Sequence, residues 1–570
     1  MSATKKYTPL HAKDKSLLGT IRRGAPSYLP TCFASAPHMA FDNKEALGAV
    51  ADHDEIKRDF PNTYGAARIV LKPAPSNAAN SSPIKIAVVL SGGQAPGGHN
   101  VIAGVYDYAK KISSASVVMG FLDGPQGIYN GQYCIIDDNM MDTYRNTGGF
   151  DMIGSGRHKI EKPAEFKAAL AVCQELDLDG VVIIGGDDSN TNAAVLAEYF
   201  VANNCKTKVC GAPKTIDGDL KVDPYIPISF GFDTACRSYS ELIGNLGQDT
   251  LSTQKYYHFV RLMGRAASNI ALECALQTRP NICLISEEVA QKKSTLLEIT
   301  DEVCQVILKR AKAGKNYGII LLPEGLIEFI PEFNHLIEEI NDVLATGVEP
   351  TEASVIQKLS DSNRNVFMFL PEQIKQQLLL DRDPHGNVQV AKIETEKLLA
   401  QTVEKRLKDM QAAGDYSGSF VPRFHSYGYE GRCGYPSQFD ATYCYVLGQT
   451  VAAMVALKLN GMIASVNNLH APVESWVCGG VPITMMCHME KRHGHMKPVI
   501  KKALVELEGA PFACFSAQRA MWAEHDLYRS PGPIQFFLEE TANAGAVELC
   551  ITLTLELLKV TPPSNLYVRH

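Results

Sequence analysis

Short apolar runs alternate along the chain with stretches of helical spacing. Ile84–Leu90 (IKIAVVL) is a continuous apolar run rich in β-branched residues, the pattern of a strand buried on both faces. SGGQAPGGHN follows it, and NVIAGVYDYAKKI then carries apolar residues at helical spacing. VVMGFLDGPQGIYNG predicts a second strand running into a glycine-rich loop. The helix starting at Pro163 carries Phe166, Leu170 and Cys173 on one stripe and leads into the strand Val181–Ile184. Ser189 is placed to cap the next helix, TNAAVLAEYFVANN. A further apolar turn ends in PKTIDGD (Pro213–Asp219). Strands and helices alternating in this way predict an α/β fold with a parallel sheet covered on both faces.

The pattern then restarts. SFGFDTACRSYSELIGNLGQD is helical, KYYHFVRLMG is a strand into a turn, and NICLIS is another strand. An amphipathic helix closed by Gly314 precedes GIILLPEG (Gly318–Gly325), a buried strand ending in an acid. Beyond Phe329 the spacing is helical with no strand of comparable strength, and ATYCYVLGQTVAAMVALKLNG is a long apolar helix. The expected organisation is an N-terminal extension over 1–80, a first domain over 81–245, and a second over 246–328 and 414–470. A helical insertion occupies 329–413, and a segment over 471–570, the least patterned, packs on both domains.

Composition narrows the class. Apolar residues make up 45% of the 570, which suits a large core of two to four domains. The net charge is −7 with no long basic run, which argues against nucleic acid as a partner. The first residues, MSATKKYTPLHAKDK, contain no apolar core of a secretory signal, and no apolar run is long enough to span a membrane. Fifteen cysteines are scattered without a CxxC pair and read as reduced core residues. A cytoplasmic enzyme or scaffold is expected.

Candidate chemistry gathers at strand ends, where open α/β sheets bind ligands. In SGGQAPGGHN the glycines allow close backbone approach and the helix start offers N–H groups to an anion; a tight packing turn would use the same residues. The loop is neither a GxGxxG fingerprint nor a Walker loop. In GGDDSN, Asp187 and Asp188 are adjacent, so on an extended segment they point opposite ways and take two roles. One carboxylate suits Mg²⁺, and both also suit a helix start. In PKTIDGD, Asp217 and Asp219 fall on one side of an extended backbone. One is able to accept a hydroxyl proton while the other supports metal or water, with Lys214 neutralising phosphoryl charge; the same residues also make a turn. Arg157 in GSGRHK, Lys255 in QKYY, Arg265 in MGR and Arg432 in YEGR add cations that singly read as surface charges. His488, His493 and His495 match no familiar zinc spacing and read as a surface cluster.

SGGQAPGGHN, GSGR, GGDD, PKTIDGD, MGR, PEG and GYEGR stand in the order seen in phosphofructokinases. Over roughly Ile84 to Gly461 the chain resembles the long pyrophosphate-dependent form of that family, similar to the plant catalytic beta subunit and to protist and spirochaete enzymes. The resemblance implies two Rossmann-like halves with the active site in the cleft between them. It implies Mg²⁺-dependent, reversible transfer of a phosphoryl group from diphosphate to the 1-hydroxyl of D-fructose 6-phosphate, a step of glycolysis and gluconeogenesis. Gly93 and Arg157 match diphosphate contacts, Asp187 the metal position, and Asp217 the proton acceptor. Thr215, Ile216 and Asp217 match substrate contacts, with Met263, Gly264, Arg265 and Glu324. Tyr429, Glu430, Gly431 and Arg432 match the grip on the sugar phosphate. Lys255 and Tyr256 match a pair that reaches in from a neighbouring subunit, which implies a homodimer or higher oligomer with shared sites.

ATP-dependent relatives carry glycine at the positions of Asp188 and Lys214. The resemblance therefore implies that Asp188 excludes ATP by bulk and like charge while Lys214 stabilises the leaving phosphate. The alternatives are an ATP-dependent 6-phosphofructokinase, a non-catalytic regulatory subunit that binds sugar phosphate and a partner chain, and, against the missing GxGxxG, a nicotinamide dehydrogenase.

Overall fold

A computed structural model of the chain describes residues 22–25, 27–34, 38–75, 82–381, 388, 392–492 and 495–533. Its strands, in chain order, begin with β1 (Met39–Ala46), β2 (Ala67–Pro73), β3 (Lys85–Leu90), β4 (Val117–Phe121) and β5 (Tyr133–Ile136). There follow β6 (Gly180–Gly185), β7 (Lys208–Thr215), β8 (Phe230–Gly231), β9 (Tyr257–Leu262), β10 (Ile282–Cys283) and β11 (Gly318–Pro323). The last are β12 (Pro422–Tyr427), β13 (Met462–Asn467), β14 (Val477–Pro482), β15 (Cys487–Arg492) and β16 (His495–Ile500). The described residues divide into two compact units: one runs to Ala235 and includes Glu430–Ala503, and the other joins Cys236–Tyr429 to Leu504–Pro533.

The first unit is built on one sheet in the order β1-β2-β14-β13-β7-β6-β3-β4-β5. Its centre, β13, β7, β6, β3 and β4, is parallel. Helices cover it, so β3 and β6 are buried along almost their whole length, which is why their sequences are unbroken apolar runs. Register pairs Leu90 with Ile184 and Gly185 with Pro213, which brings the carboxyl ends of β3, β6 and β7 level.

Three features differ from the expected boundaries. Residues 1–80 contribute β1 and β2, an antiparallel pair added to the sheet through β14. The stretch 414–470 is divided between the units: β12 belongs to the second, whereas the helix Gln438–Ala456 and β13 belong to the first, with β13 parallel to β7. The division also falls inside the helix Phe232–Thr253, at Ala235, where nothing breaks the helical spacing. Gln438–Ala456 is apolar on all sides because it is enclosed on all sides. It packs against the helix Gly98–Ile112 at backbone contact. A Cβ on Gly448 would lie 2.1 Å from the carbonyl oxygen of Val101, and one on Gly104 would lie 2.2 Å from that of Tyr445. Gly448→Ala is therefore expected to lower unfolding stability by about 3 kcal/mol, the upper range of overpacking costs. Thermal unfolding of the purified variant checks this, and an unchanged midpoint would contradict the close crossing.

The second unit holds a parallel sheet in the order β10-β11-β9-β12. The helices of 329–413 share one apolar core with β9 and β11, so this stretch is part of the unit's body. Of the stretch 471–570, residues 471–503 belong to the first unit and 504–533 to the second, and 534–570 lie outside the described residues. The helix Ala510–Glu524 packs on Asn269–Thr278 and Leu296–Lys312. Among the described residues no disulfide joins the cysteines, most of which are buried, and no helix is long and apolar enough to cross a membrane.

Candidate active site

The level ends of β3, β6 and β7 open into a cavity of about 240 Å³ within the first unit. Gly93, Asp187, Asp188, Lys214, Thr215, Ile216 and Asp217 all line it. Arg157 and Arg432 reach it from loops distant in sequence.

Lys214, the penultimate residue of β7, points its ammonium across the strand ends. Its Nζ donates to the carbonyl oxygen of Gly93 at 2.6 Å, and the side chain is buried. Burial first, and then the nearby Arg432 guanidinium, pull its pKa down to about 8, against the opposing pull of Asp217, Asp187 and Asp219. Glycine at 93 lets the two guanidiniums come close to the backbone: a Cβ there would lie 2.4 Å from Arg432 Nη1 and 3.7 Å from Arg157 Nη2, and would push the Arg432 side chain aside. Two guanidiniums thus overhang a bare stretch of backbone, which is an anion-binding arrangement.

The two aspartate pairs reach the cavity by routes other than extended backbone. The helix starts at Asp187, two residues before the expected cap, so Asp187 and Asp188 occupy its first turn, where negative charge is favoured. Ser189 instead donates to Ser91 at 2.8 Å and ties the helix start to the end of β3. A helical turn still sends the two carboxylates apart: Asp188 Oδ1 lies 2.9 Å from Lys159 Nζ at the rim, while Asp187 Oδ2 lies 3.6 Å from Lys502 Nζ. Asp217 and Asp219 sit on a bend in which Gly218 has φ 70°. Thr215 Oγ1 organises it, donating to Asp219 Oδ1 at 2.9 Å and accepting from the Asp217 N–H at 3.0 Å. Lys502 Nζ is also 3.6 Å from Asp219 Oδ2. Burial raises the Asp219 pKa, Lys502 lowers it, and the Asp187 charge raises it again.

Among the described residues no group of three or more His, Cys, Asp and Glu side chains is placed to hold a metal ion. The donor set is instead a carboxylate pair, Asp187 and Asp219, joined through a single ammonium inside a cavity. That fits Mg²⁺, which binds through one or two carboxylates and completes its shell with water and phosphate oxygens. The histidine cluster adds nothing here: His488 lies on β15, and His493 and the side chain of His495 lie outside the described residues.

In the second unit, Met263, Gly264 and Arg265 follow β9, Glu324 follows β11, and Tyr429 lies just past β12. Register sets Leu262 beside Pro323 and Tyr427; the Glu324 N–H donates to Leu262 O at 2.8 Å and the Met263 N–H to Tyr427 O at 3.1 Å. These residues therefore share the carboxyl edge of one sheet, where Arg265 Nε lies 3.8 Å from Glu328 Oε1. Lys255 and Tyr256 precede β9 and sit at its opposite end, so the structure does not bring them to that edge; the Arg423 guanidinium lies 4.4 Å from the centre of the Tyr256 ring. Glu430 and Gly431 lead directly into Arg432 and are not among the cavity walls.

Sequence reasoning left out Lys159 and Lys502 altogether. Lys159 was within reach, two residues beyond Arg157 in GSGRHK. Lys502 carries no signal, because IKKALVELE has neither a glycine turn nor a familiar motif around it.

The phosphofructokinase family profile matches residues 85–455. Pyrophosphate–fructose 6-phosphate 1-phosphotransferase subunit beta 2 of Arabidopsis thaliana is 55% identical over 509 residues, covering 89% of this chain and 89% of its own length. The enzyme of the same name from Treponema pallidum is 50% identical over 542 residues (92% and 93%), and that of Entamoeba histolytica is 46% identical over 539 residues (93% and 96%). Among solved structures, the pyrophosphate-dependent phosphofructokinase of Nitrosospira multiformis shares the fold with a TM-score of 0.53 at 16% identity, covering 83% of this chain and 99% of that one. With its α/β architecture and its motifs in family order, the chain belongs to the phosphofructokinase family.

Proposed function

We propose that this chain is a diphosphate-dependent phosphotransferase that makes fructose 1,6-bisphosphate and phosphate from D-fructose 6-phosphate and diphosphate, in either direction. The observation that carries the reading is Lys214: a buried ammonium, fixed on Gly93 O, fills the floor of the anion cavity while Asp188 closes its rim. That arrangement supports a small, highly charged donor over a nucleotide, as do the names of the relatives.

In this reading the Asp217 carboxylate takes the proton of the sugar 1-hydroxyl as its oxygen bonds to the near phosphorus of diphosphate. The bridging P–O bond breaks, and the electron pair leaves with the departing phosphate, whose charge Lys214 stabilises. Gly93 and Arg157 hold the diphosphate, and Thr215 and Ile216 line the reacting end. Asp187, with Asp219, would hold Mg²⁺, which supplies charge neutralisation on the phosphate oxygens when bound. Met263, Gly264, Arg265 and Glu324, with Tyr429, Glu430, Gly431 and Arg432, bind the sugar phosphate. Lys255 and Tyr256 serve a neighbouring subunit's site in a homodimer or larger assembly, a role supported by their position at the far end of β9 from Met263. Buried cysteines without disulfides among the described residues support a cytoplasmic location.

The purified chain, with no partner subunit added, should form fructose 1,6-bisphosphate from diphosphate, lose that activity on chelation and recover it with Mg²⁺. Sugar-phosphate binding without turnover would overturn the reading in favour of a regulatory subunit. The pH profile offers a second check. Lys214 is charged below its pKa of about 8 and neutral above it, so stabilisation by its ammonium is present at lower pH and lost as pH rises through that value. kcat/KM for diphosphate should therefore fall along a limb centred near 8, and Lys214→Arg should carry the limb upward. A limb unmoved by that variant would assign the titration to another group.

A further inference from the structure

Lys502 lines the cavity beside Asp187 and Asp219 and has no part in the transfer steps. The segment bearing it is tethered on both sides to the two acids it faces. The Ile500 N–H donates to Thr191 Oγ1 at 3.1 Å, and that hydroxyl donates to the carbonyl oxygen of Asp187 at 2.9 Å. On the other side, the Ala503 N–H donates to the carbonyl oxygen of Asp219 at 2.7 Å. The Lys501 N–H donates to Met486 O at 2.9 Å and steadies the strand end between them. The backbone is thus fixed while the side chain is 38% exposed and lines the cavity. Its ammonium stands 3.6 Å from one oxygen of each carboxylate, longer than the roughly 2.7–2.9 Å of a locked charge-assisted hydrogen bond. A lysine placed in this way bridges two acids, and its flexible stem permits it to change partner without moving the backbone.

We propose that Lys502 is a diphosphate-binding residue that exchanges partners on loading. Before substrate arrives it neutralises the Asp187–Asp219 pair; when a divalent cation enters between those acids, the ammonium turns to an oxygen of diphosphate. This inference rests on the diphosphate-dependent reading. It makes the C-terminal segment part of the site, since residues 500–503 both hold the acids in place and supply a cation.

The test uses the purified full chain with Lys502→Met and Lys502→Arg. Loss of the ammonium should raise KM for diphosphate roughly ten- to a hundredfold, the range of a charge-assisted contact, with KM for fructose 6-phosphate held within about threefold. Lys502→Arg should return KM for diphosphate to within roughly fivefold of the parent, because charge rather than shape is required. The independent readout is Mn²⁺ binding to substrate-free protein at pH 8, followed by electron paramagnetic resonance. With the competing ammonium gone, Lys502→Met should bind Mn²⁺ more tightly, by about three- to tenfold. A purely structural ion pair would not loosen diphosphate while tightening metal. Unchanged KM for diphosphate, or weaker Mn²⁺ binding, overturns the proposal, and Lys502→Gln is read in the same way if Lys502→Met does not fold. A parent chain that makes no product from diphosphate refutes the functional reading instead, and the Mn²⁺ comparison then still decides whether Lys502 competes with metal.

Discussion

Asp217→Ala should lower kcat by about a thousandfold, within the 10²- to 10⁴-fold range of a positioned base, while KM for fructose 6-phosphate stays within about threefold. The expectation follows from where the residue is held. Its backbone N–H is fixed by Thr215 Oγ1, which is itself bonded to Asp219, so the bend that presents the carboxylate is built independently of substrate. Truncation to alanine removes the proton acceptor and leaves that bend standing. The proposed sugar-phosphate contacts Met263, Gly264, Arg265 and Glu324 follow β9 and β11 and take no part in that bend, so binding is expected to be spared. Loss of kcat and kcat/KM together is the signature of an interaction made only in the transition state. A second consequence concerns Lys214, whose pKa the Asp217 charge helps to hold up. The falling pH limb of any residual activity should move below that of the parent. An unchanged kcat would contradict the assignment of the base.

Asp188→Gly should change the donor. Asp188 stands where the cavity at the strand ends meets a second cavity of about 550 Å³, whose walls include Arg157, Lys159, Phe166 and Lys497. Its carboxylate, paired with Lys159 at 2.9 Å, places bulk and negative charge at the junction. Glycine removes both and releases Lys159 to face an entering phosphate. The ratio of kcat/KM for ATP to that for diphosphate should rise by about a hundredfold or more, because juxtaposed like charges cost several kcal/mol. Continued exclusion of ATP would move the block to another element, with Lys214 the first to test.

Most of the cavity wall in the first unit was readable because it is made of short local motifs at the ends of buried parallel strands. Continuous apolar runs such as VVII mark those strands, and their carboxyl ends locate Gly93, Asp187 and Asp217. Local geometry was harder to read. Asp187 and Asp188 separate through a helical turn, and Asp217 and Asp219 through a bend at Gly218; neither pair lies on extended backbone. Illegible features were those set by pairing between distant segments. Whether Gln438–Ala456 belongs to one unit or the other depends on β13 meeting β7, and no local pattern records that. β1, with its polar MAFDNKEA, reads as loop because it is a partly exposed outer strand. Lys502 is the sharpest case: its partners are Asp187 and Asp219, and only the folded chain brings it to them.

The central claim is that this cavity accepts diphosphate and excludes nucleotide. The direct measurement is kcat/KM for diphosphate and for ATP, side by side, on the purified parent chain at saturating fructose 6-phosphate and Mg²⁺. Efficient formation of fructose 1,6-bisphosphate from diphosphate with none above background from ATP is the predicted result. Robust turnover with ATP and none with diphosphate would contradict the account.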